Sequence, residues 1–171
     1  MIRRAVALAF GAVLAVAPPA PAQAPVVLAP FAFDLPPGFA RAGSEGAVTL
    51  LRDVEGSQIT AEVYPGAHPL HGRPVAEITE ALERPLAAAL LPESFAWLEP
   101  PRTELRADGT AVFTALAARR NPRGDAAIQA VIYAIGPEAT LHVGLAGIGQ
   151  PASARATIGA IARSLRAAPP R

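Results

Sequence analysis

Hydrophobic and polar positions along this chain follow two periods. From Ser57 to Tyr64 they alternate, with Ile59, Ala61 and Val63 on one face and Thr60, Glu62 and Tyr64 on the other. That period of two marks a half-buried strand. Ala47 to Asp53 alternates too, and the turn at Glu55-Gly56 joins the two runs as a hairpin. Phe31 to Leu35 reads as a first strand, Pro36-Pro37-Gly38 as a turn, Phe39 as the start of another extended segment, and Gly43 to Gly46 as a further turn. Ala126 to Ile135 is apolar on both faces: Ile128, Ala130 and Ile132 on one, Val131, Tyr133 and Ile135 on the other. Such a strand needs cover on both sides.

Two stretches carry the helical period instead. Pro65 to Gly72 reads as a loop, and Pro74 suits the first turn of a helix, where its missing N–H costs nothing. Val75, Ile78, Thr79 and Leu82 then form one face, with Glu77, Glu80, Glu83 and Arg84 outside and Glu80 and Arg84 spaced to pair. Pro85 predicts an end or kink near Arg84, leaving Leu86 to Leu91 as a second short piece. A closing helix is predicted from about Pro151 to Ala167, with Ala154, Thr157, Ile158, Ile161, Ala162 and Leu165 as its buried stripe. Between the helices lie strands at Thr103 to Ala107, Thr110 to Arg119, Ala126 to Ile135 and Ala139 to Ala146. Asp108-Gly109, Asn121 to Gly124 and Gly136-Pro137-Glu138 turn the chain between them. Short turns require antiparallel neighbours, because parallel strands need long crossovers. The expected fold class is α+β, an antiparallel sheet meander with helices packed on its faces.

The start of the chain follows neither period. Arg3 and Arg4 precede an unbroken apolar run from Ala5 to Ala17, and Ala22-Gln23-Ala24 follows. These are the three parts of a secretory signal. The run of 13 residues falls short of the 18 or more that a permanent membrane helix needs. The residues after Arg3-Arg4 match a twin-arginine signal poorly, which favours the general export route. Residues 1–24 are therefore expected to be cleaved, 25–30 to be a lead-in, 31–167 a single domain and 168–171 a disordered tail. The expected location is the bacterial periplasm or beyond, with no transmembrane segment after cleavage.

Charge and cysteine content narrow the picture. The chain has 15 basic residues, all arginine, against 14 acids, and loss of Arg3 and Arg4 leaves one acid in excess. A near-neutral domain lacks the electrostatic footprint for nucleic acid. There is no cysteine, which excludes thiol catalysis, a disulfide framework and a lipid-attachment cysteine.

The phrase Phe33-Asp34-Leu35-Pro36-Pro37-Gly38-Phe39 resembles the start of PsbP-like domains and of DcrB-like periplasmic proteins. The early hairpin, the middle helix, the strand from Asp108-Gly109 and the closing helix through Ser164-Leu165 extend that resemblance over most of Phe31 to Arg166. It implies an α/β/α sandwich used as a binding or assembly module. It implies no catalytic residue set.

Candidate chemistry is sparse. His68 and His71 place two imidazoles in one loop, with His142, Glu62 or Glu77 as a third metal ligand. Arg119, Arg120 and Arg123 concentrate charge at a hairpin tip, where an acidic partner or a lipid headgroup would meet them. Gly147-Ile148-Gly149-Gln150-Pro151-Ala152 spells a dinucleotide-binding phrase, but too little chain remains to complete a βαβ unit, so it reads as a strand-to-helix turn. Ser44 stands in no nucleophile elbow, and the pairs Glu77/Glu80 and Glu80/Glu83 face solvent. Phe95, Trp97 and Leu98, between Pro92 and Pro100, read as core packing under a loop. No cofactor is expected. The expected function is a non-catalytic binding or assembly accessory domain with a protein or small-molecule partner in the cell envelope. The alternatives are a small metal-assisted enzyme using the His68/His71 loop and an envelope-surface module using the arginine hairpin.

Overall fold

The computed structural model describes residues 25–45, 48–53, 57–120 and 126–168, with side chains undescribed at 44–50. The expected signal at residues 1–24, the turns at Glu55-Gly56 and Asn121 to Gly124, and the last three residues lie outside them.

Seven strands form one antiparallel sheet: β3 (Ala40–Glu45), β4 (Val48–Arg52), β5 (Gln58–Pro65), β6 (Ala96–Leu105), β7 (Ala111–Arg120), β8 (Ala126–Ile135) and β9 (Ala139–Gly149). Their spatial order is β3-β4-β5-β9-β8-β7-β6. β8 is flanked by β7 and β9 over its whole length, and its two apolar faces are both covered, as the sequence pattern requires. On one side lies α1 (Val75–Leu90). Its Ile78 and Leu82 join Ala111, Phe113 and Ala115 of β7 and Val131 and Ile135 of β8 in one apolar cluster. On the other side lie α2 (Pro151–Ser164) and a small sheet of β1 (Val26–Leu28), β2 (Phe31–Phe33) and β10 (Arg166–Ala167). Phe31, Phe33, Ile158, Ile161 and Leu165 pack there against Ile59, Ile128, Ile132, Leu141 and Val143. The order is helix, sheet, helix.

Several boundaries differ from the sequence reading, each for a local reason. The lead-in is structured: Val26 is fully buried, and β1 pairs with β2. Three residues flanked by prolines carry too little pattern to signal a strand. Pro85 does not end α1, which runs on to Leu90 with the proline exposed. Leu86 and Leu90 continue the buried side of the same helix, and their packing outweighs the lost backbone bond. α2 stops at Ser164, and Arg166–Ala167 pairs with β2, while Ala168 N–H donates to Pro30 O at 2.7 Å. The expected loop around Trp97 is the first half of β6. Pro100 and Pro101 hid it; they are tolerated because β6 is an edge strand whose register shifts on either side of Glu99. The predicted turn at Gly43 to Gly46 begins inside β3, where the register shifts between Arg41 and Gly43.

The Asp108-Gly109 hairpin forms as read. Gly109 has φ +81°, and Thr110 N–H donates to Asp108 Oδ1 at 2.9 Å, which holds the Asp108 carboxyl below its ordinary pKa. From this hairpin Arg106 reaches across to α2 and donates to the carbonyls of Ala162 and Leu165. Ala162 lies in the last turn of α2 and Leu165 just beyond it, where no further helical N–H follows to satisfy their carbonyls.

Replacing Arg106 by alanine strands both carbonyls and is expected to lower stability by about 1–3 kcal/mol, the range for hydrogen bonds to a charged group. Lysine restores only part, since a single ammonium lacks the guanidinium fork. Urea unfolding of the three proteins checks this; an unchanged midpoint in Arg106→Ala contradicts the role.

Candidate binding surface

α1 covers only one half of its side of the sheet. It packs on β6, β7 and the near side of β8. No described element lies over the matching face of β9, β5 and β4. The alternation of each strand decides what this uncovered half presents. β9 contributes Thr140, His142, Gly144 and Ala146; β5 contributes Gln58, Thr60, Glu62 and Tyr64; their partners bury Leu141, Val143, Leu145, Ile59 and Ala61 in the opposite core.

One row crosses the sheet from the α1 core to this surface. Phe113, Tyr133, His142 and Glu62 are direct cross-strand neighbours on β7, β8, β9 and β5. Phe113 is fully buried under α1, and its ring centroid lies 6.3 Å from that of Tyr133. Tyr133 stacks on His142 at 4.9 Å with 24° between the planes. Glu62 lies opposite His142 and accepts a hydrogen bond from Tyr64 Oη at 2.7 Å. Tyr64 is 49% exposed and ends the row in solvent. Cross-strand aromatic pairs of this kind stabilise a sheet while fixing the ring orientations.

The neighbouring rows widen the surface. Gly144 sits between Val131 and Thr60; a Cβ there would stand 3.1 Å from Thr60 Oγ1 and 3.8 Å from His142 Cε1, so the glycine leaves a dip beside the imidazole. Gln129, Ala146 and Gln58 are exposed in the next row. Thr140, between Ile135 and Tyr64, is buried, and its Oγ1 has no hydrogen-bond partner among the described residues. The face is aromatic and amide-rich, with Glu62 the single carboxylate on β5 and β9 and exposed Arg52 of β4 beside Gln58 at its margin. Depletion of charge and enrichment in tyrosine are marks of an interface centre.

The electrostatics agree with a neutral face. Burial pushes the His142 pKa below its ordinary value, and the Glu62 carboxylate pulls partly the other way. The Tyr64 phenol is raised above its usual value, first by its hydrogen bond to Glu62, and Tyr133 is raised by burial. Both phenols keep their protons at neutral pH, and that of Tyr64 is donated to Glu62.

The residues singled out from sequence fall elsewhere. His68 and His71 share the loop before α1. His68 Nδ1 accepts the Leu70 N–H at 3.1 Å, and the His71 N–H donates to His68 O at 2.9 Å. His71 Nδ1 is buried without a hydrogen-bond partner among the described residues. Among the described residues no group of three or more His, Asp or Glu is placed to hold a metal. Arg119 is used locally: it donates to Glu93 O at 3.0 Å and lies 5.2 Å from the centre of the Phe95 ring. Arg120 is exposed at the end of β7, and Arg123 lies outside the described residues. Of the two glycines in the dinucleotide-like phrase, Gly147 has a packing role: a Cβ there would meet Ser57 Oγ at 2.7 Å, whereas one on Gly149 would meet nothing. Trp97 packs beside the α1 cluster with Leu86, which is the core role read from sequence. In the sequence His142 stood out only as a candidate third metal ligand beside His68 and His71. Its row was missed because, although the β8–β9 hairpin sets Tyr133 opposite His142, only the sheet order brings Glu62 to its other side.

Because His142 favours its neutral form in the folded state, the unfolded chain takes up the proton first as pH falls. Its contribution to stability is full above about pH 6.5, the ordinary histidine pKa, and is lost as pH drops below that. His142→Asn is expected to flatten this part of the urea-midpoint profile. Glu62→Gln removes the opposing attraction and lowers the His142 pKa further, read by NMR titration of its ring. A pKa that rises in Glu62→Gln contradicts the arrangement.

Neither a protein-family model nor a curated protein matches the chain. Among solved structures, the solution structure of cyanobacterial PsbP (CyanoP) from Synechocystis sp. PCC 6803 superposes with a TM-score of 0.53 at 9% identity, covering 81% of this chain and 87% of that one. A crystal structure from Bacteroides thetaiotaomicron VPI-5482 aligns with a TM-score of 0.46 at 10% identity over 82% of this chain and 46% of that chain. The sandwich of an antiparallel sheet between helices is thus the PsbP-like fold.

Proposed function

We propose that this protein is exported to the periplasm and acts there as a non-catalytic binding or assembly domain, with the uncovered half of its sheet as the docking face for a protein partner. The observation that carries the reading is the row from Phe113 to Tyr64. It is anchored in the core at one end and open to solvent at the other, so the face is preorganised and binding need not order it. A rigid aromatic row with few charges is suited to contact with another protein and ill suited to acid–base chemistry, since its histidine is held neutral and its phenols protonated. The PsbP-like fold accords with such a role. Export is supported by the charged start, short apolar run and small-residue site of residues 1–24. No helix among the described residues is long and apolar enough to cross a membrane.

A second reading, a metal-assisted enzyme, draws on the buried His71 Nδ1 that lacks a partner. The two readings part on metal content. The enzyme reading requires bound zinc or copper in untagged protein and its loss in His71→Ala; the docking reading requires neither.

Two measurements test the proposal. Mass spectrometry of the protein from its natural cell is expected to find Pro25 at the N-terminus in a periplasmic fraction; Met1 retained in the cytosol overturns export. A photocrosslinking residue placed at Tyr64 or Gln58 in living cells is expected to trap protein, whereas one at Glu80 on the outer side of α1 is not. Equal trapping at all three positions, or none at Tyr64 and Gln58, overturns the docking face.

A further inference from the structure

The other side of the sheet is also incompletely covered. α2 lies on β7, β8 and β9, while β6 is the edge strand beyond β7. Between α2 and β6 runs an open groove of about 320 Å³. β6 shapes it: the register shifts on either side of Glu99, around Pro100 and Pro101, bend the edge away from β7. The floor is apolar, built from buried Leu116 of β7 and buried Ile158 of α2, with half-buried Ala162 beside them.

The rim is cationic. Arg102 of β6 and Arg155 and Arg163 of α2 all line the groove. Arg155 is paired with Glu99, and Arg102 lies 3.6 Å from Glu104. Arg163 has no carboxylate partner among the described residues. It also lies down along the helix over Gly159, one turn earlier: a Cβ at Gly159 would stand only 3.0 Å from Arg163 Nη1. A missing side chain at Gly159 thus makes room for the guanidinium at the groove. Gly in a helix interior costs stability relative to alanine, and the end of the Arg163 side chain occupies the space this one leaves.

We propose that this groove binds a small amphiphile carrying one carboxylate on a short aliphatic stem. The unpaired Arg163 fork matches a carboxylate in two parallel hydrogen bonds, and the Leu116 and Ile158 floor takes the stem. The volume is near the lower end of ligand pockets, roughly 300–1,000 Å³, which sets the ligand size. The site is on the opposite side of the sheet from the docking face and stands independently of it.

The test is an NMR titration of the mature chain with octanoate. Shifts are expected at Thr114, Gly159 and Arg163, with affinity falling as salt is added. Arg163→Ala is expected to weaken binding about tenfold, the scale of one charge-assisted hydrogen bond. Gly159→Ala separates the site from the fold: it should raise the melting temperature by roughly 2–4 °C and still weaken octanoate binding by displacing the guanidinium. Acetate should bind more weakly than octanoate, and octylammonium should not shift these residues. Octanoate that leaves the groove unshifted, binds Arg163→Ala as tightly, or is matched by acetate or octylammonium overturns the proposal.

Discussion

Val131 and Ile135 must be kept from water on one side of β8, and Ile128 and Ile132 on the other. A strand with that composition cannot lie at an edge or on an open face. It must sit inside a sheet, with a layer above and a layer below. β7 and β9 supply the lateral neighbours, α1 supplies one layer, and α2 with the small β1-β2-β10 sheet supplies the other. The remaining connections serve that arrangement. Arg106 ties the β6–β7 hairpin to the end of α2. Asp34 N–H donates to Ser164 Oγ, and Asp34 pairs with Arg166, so the start and end of the domain close over the same core.

Two helices cannot cover a seven-stranded sheet, and the shortfall is where the surface chemistry lies. α1 is centred on β6 to β8, which leaves β9, β5 and β4 open on its side. α2 is centred on β7 to β9, which leaves β6 open on the other. Each opening has its own character. The first is an aromatic row in which His142 stacks on Tyr133 and Tyr133 packs at a tilt against buried Phe113. The second is a narrow apolar groove with a cationic rim, formed because an edge strand with two prolines bends away. Both derive from the same mismatch between sheet width and helix count, yet they suit different partners.

Much of the fold can be read from residue pattern alone. The two-faced Ala126 to Ile135 run gave the central strand with the bounds observed, and the alternation at Ile59, Ala61 and Val63 gave the buried side of β5. The elements that escaped are those whose cause is tertiary. β1 and β10 are too short to show a period and exist because β2 offers each an edge. β6 was masked by Pro100-Pro101, which an edge tolerates and an interior strand does not. α1 outlasts Pro85 because Leu86 and Leu90 still have a surface to pack on. The surface chemistry was less legible still. Glu62 is far from His142 in sequence and meets it only through the order β5-β9-β8, while Tyr133 faces His142 across the short β8–β9 hairpin. Arg163 lies over a helix turn that has no side chain at Gly159, a relation of position that residue pattern does not display.

The account rests on β7, β8 and β9 being the doubly covered centre and β3 and β4 being the lightly held margin. Native-state hydrogen exchange of the mature chain tests this most directly. Amides of β8 and of its bonded neighbours on β7 and β9 should exchange only through global unfolding, while those of β3 and β4 exchange through local opening at much lower free energy. Uniform protection across all seven strands, or faster exchange in β8 than in β4, would contradict it.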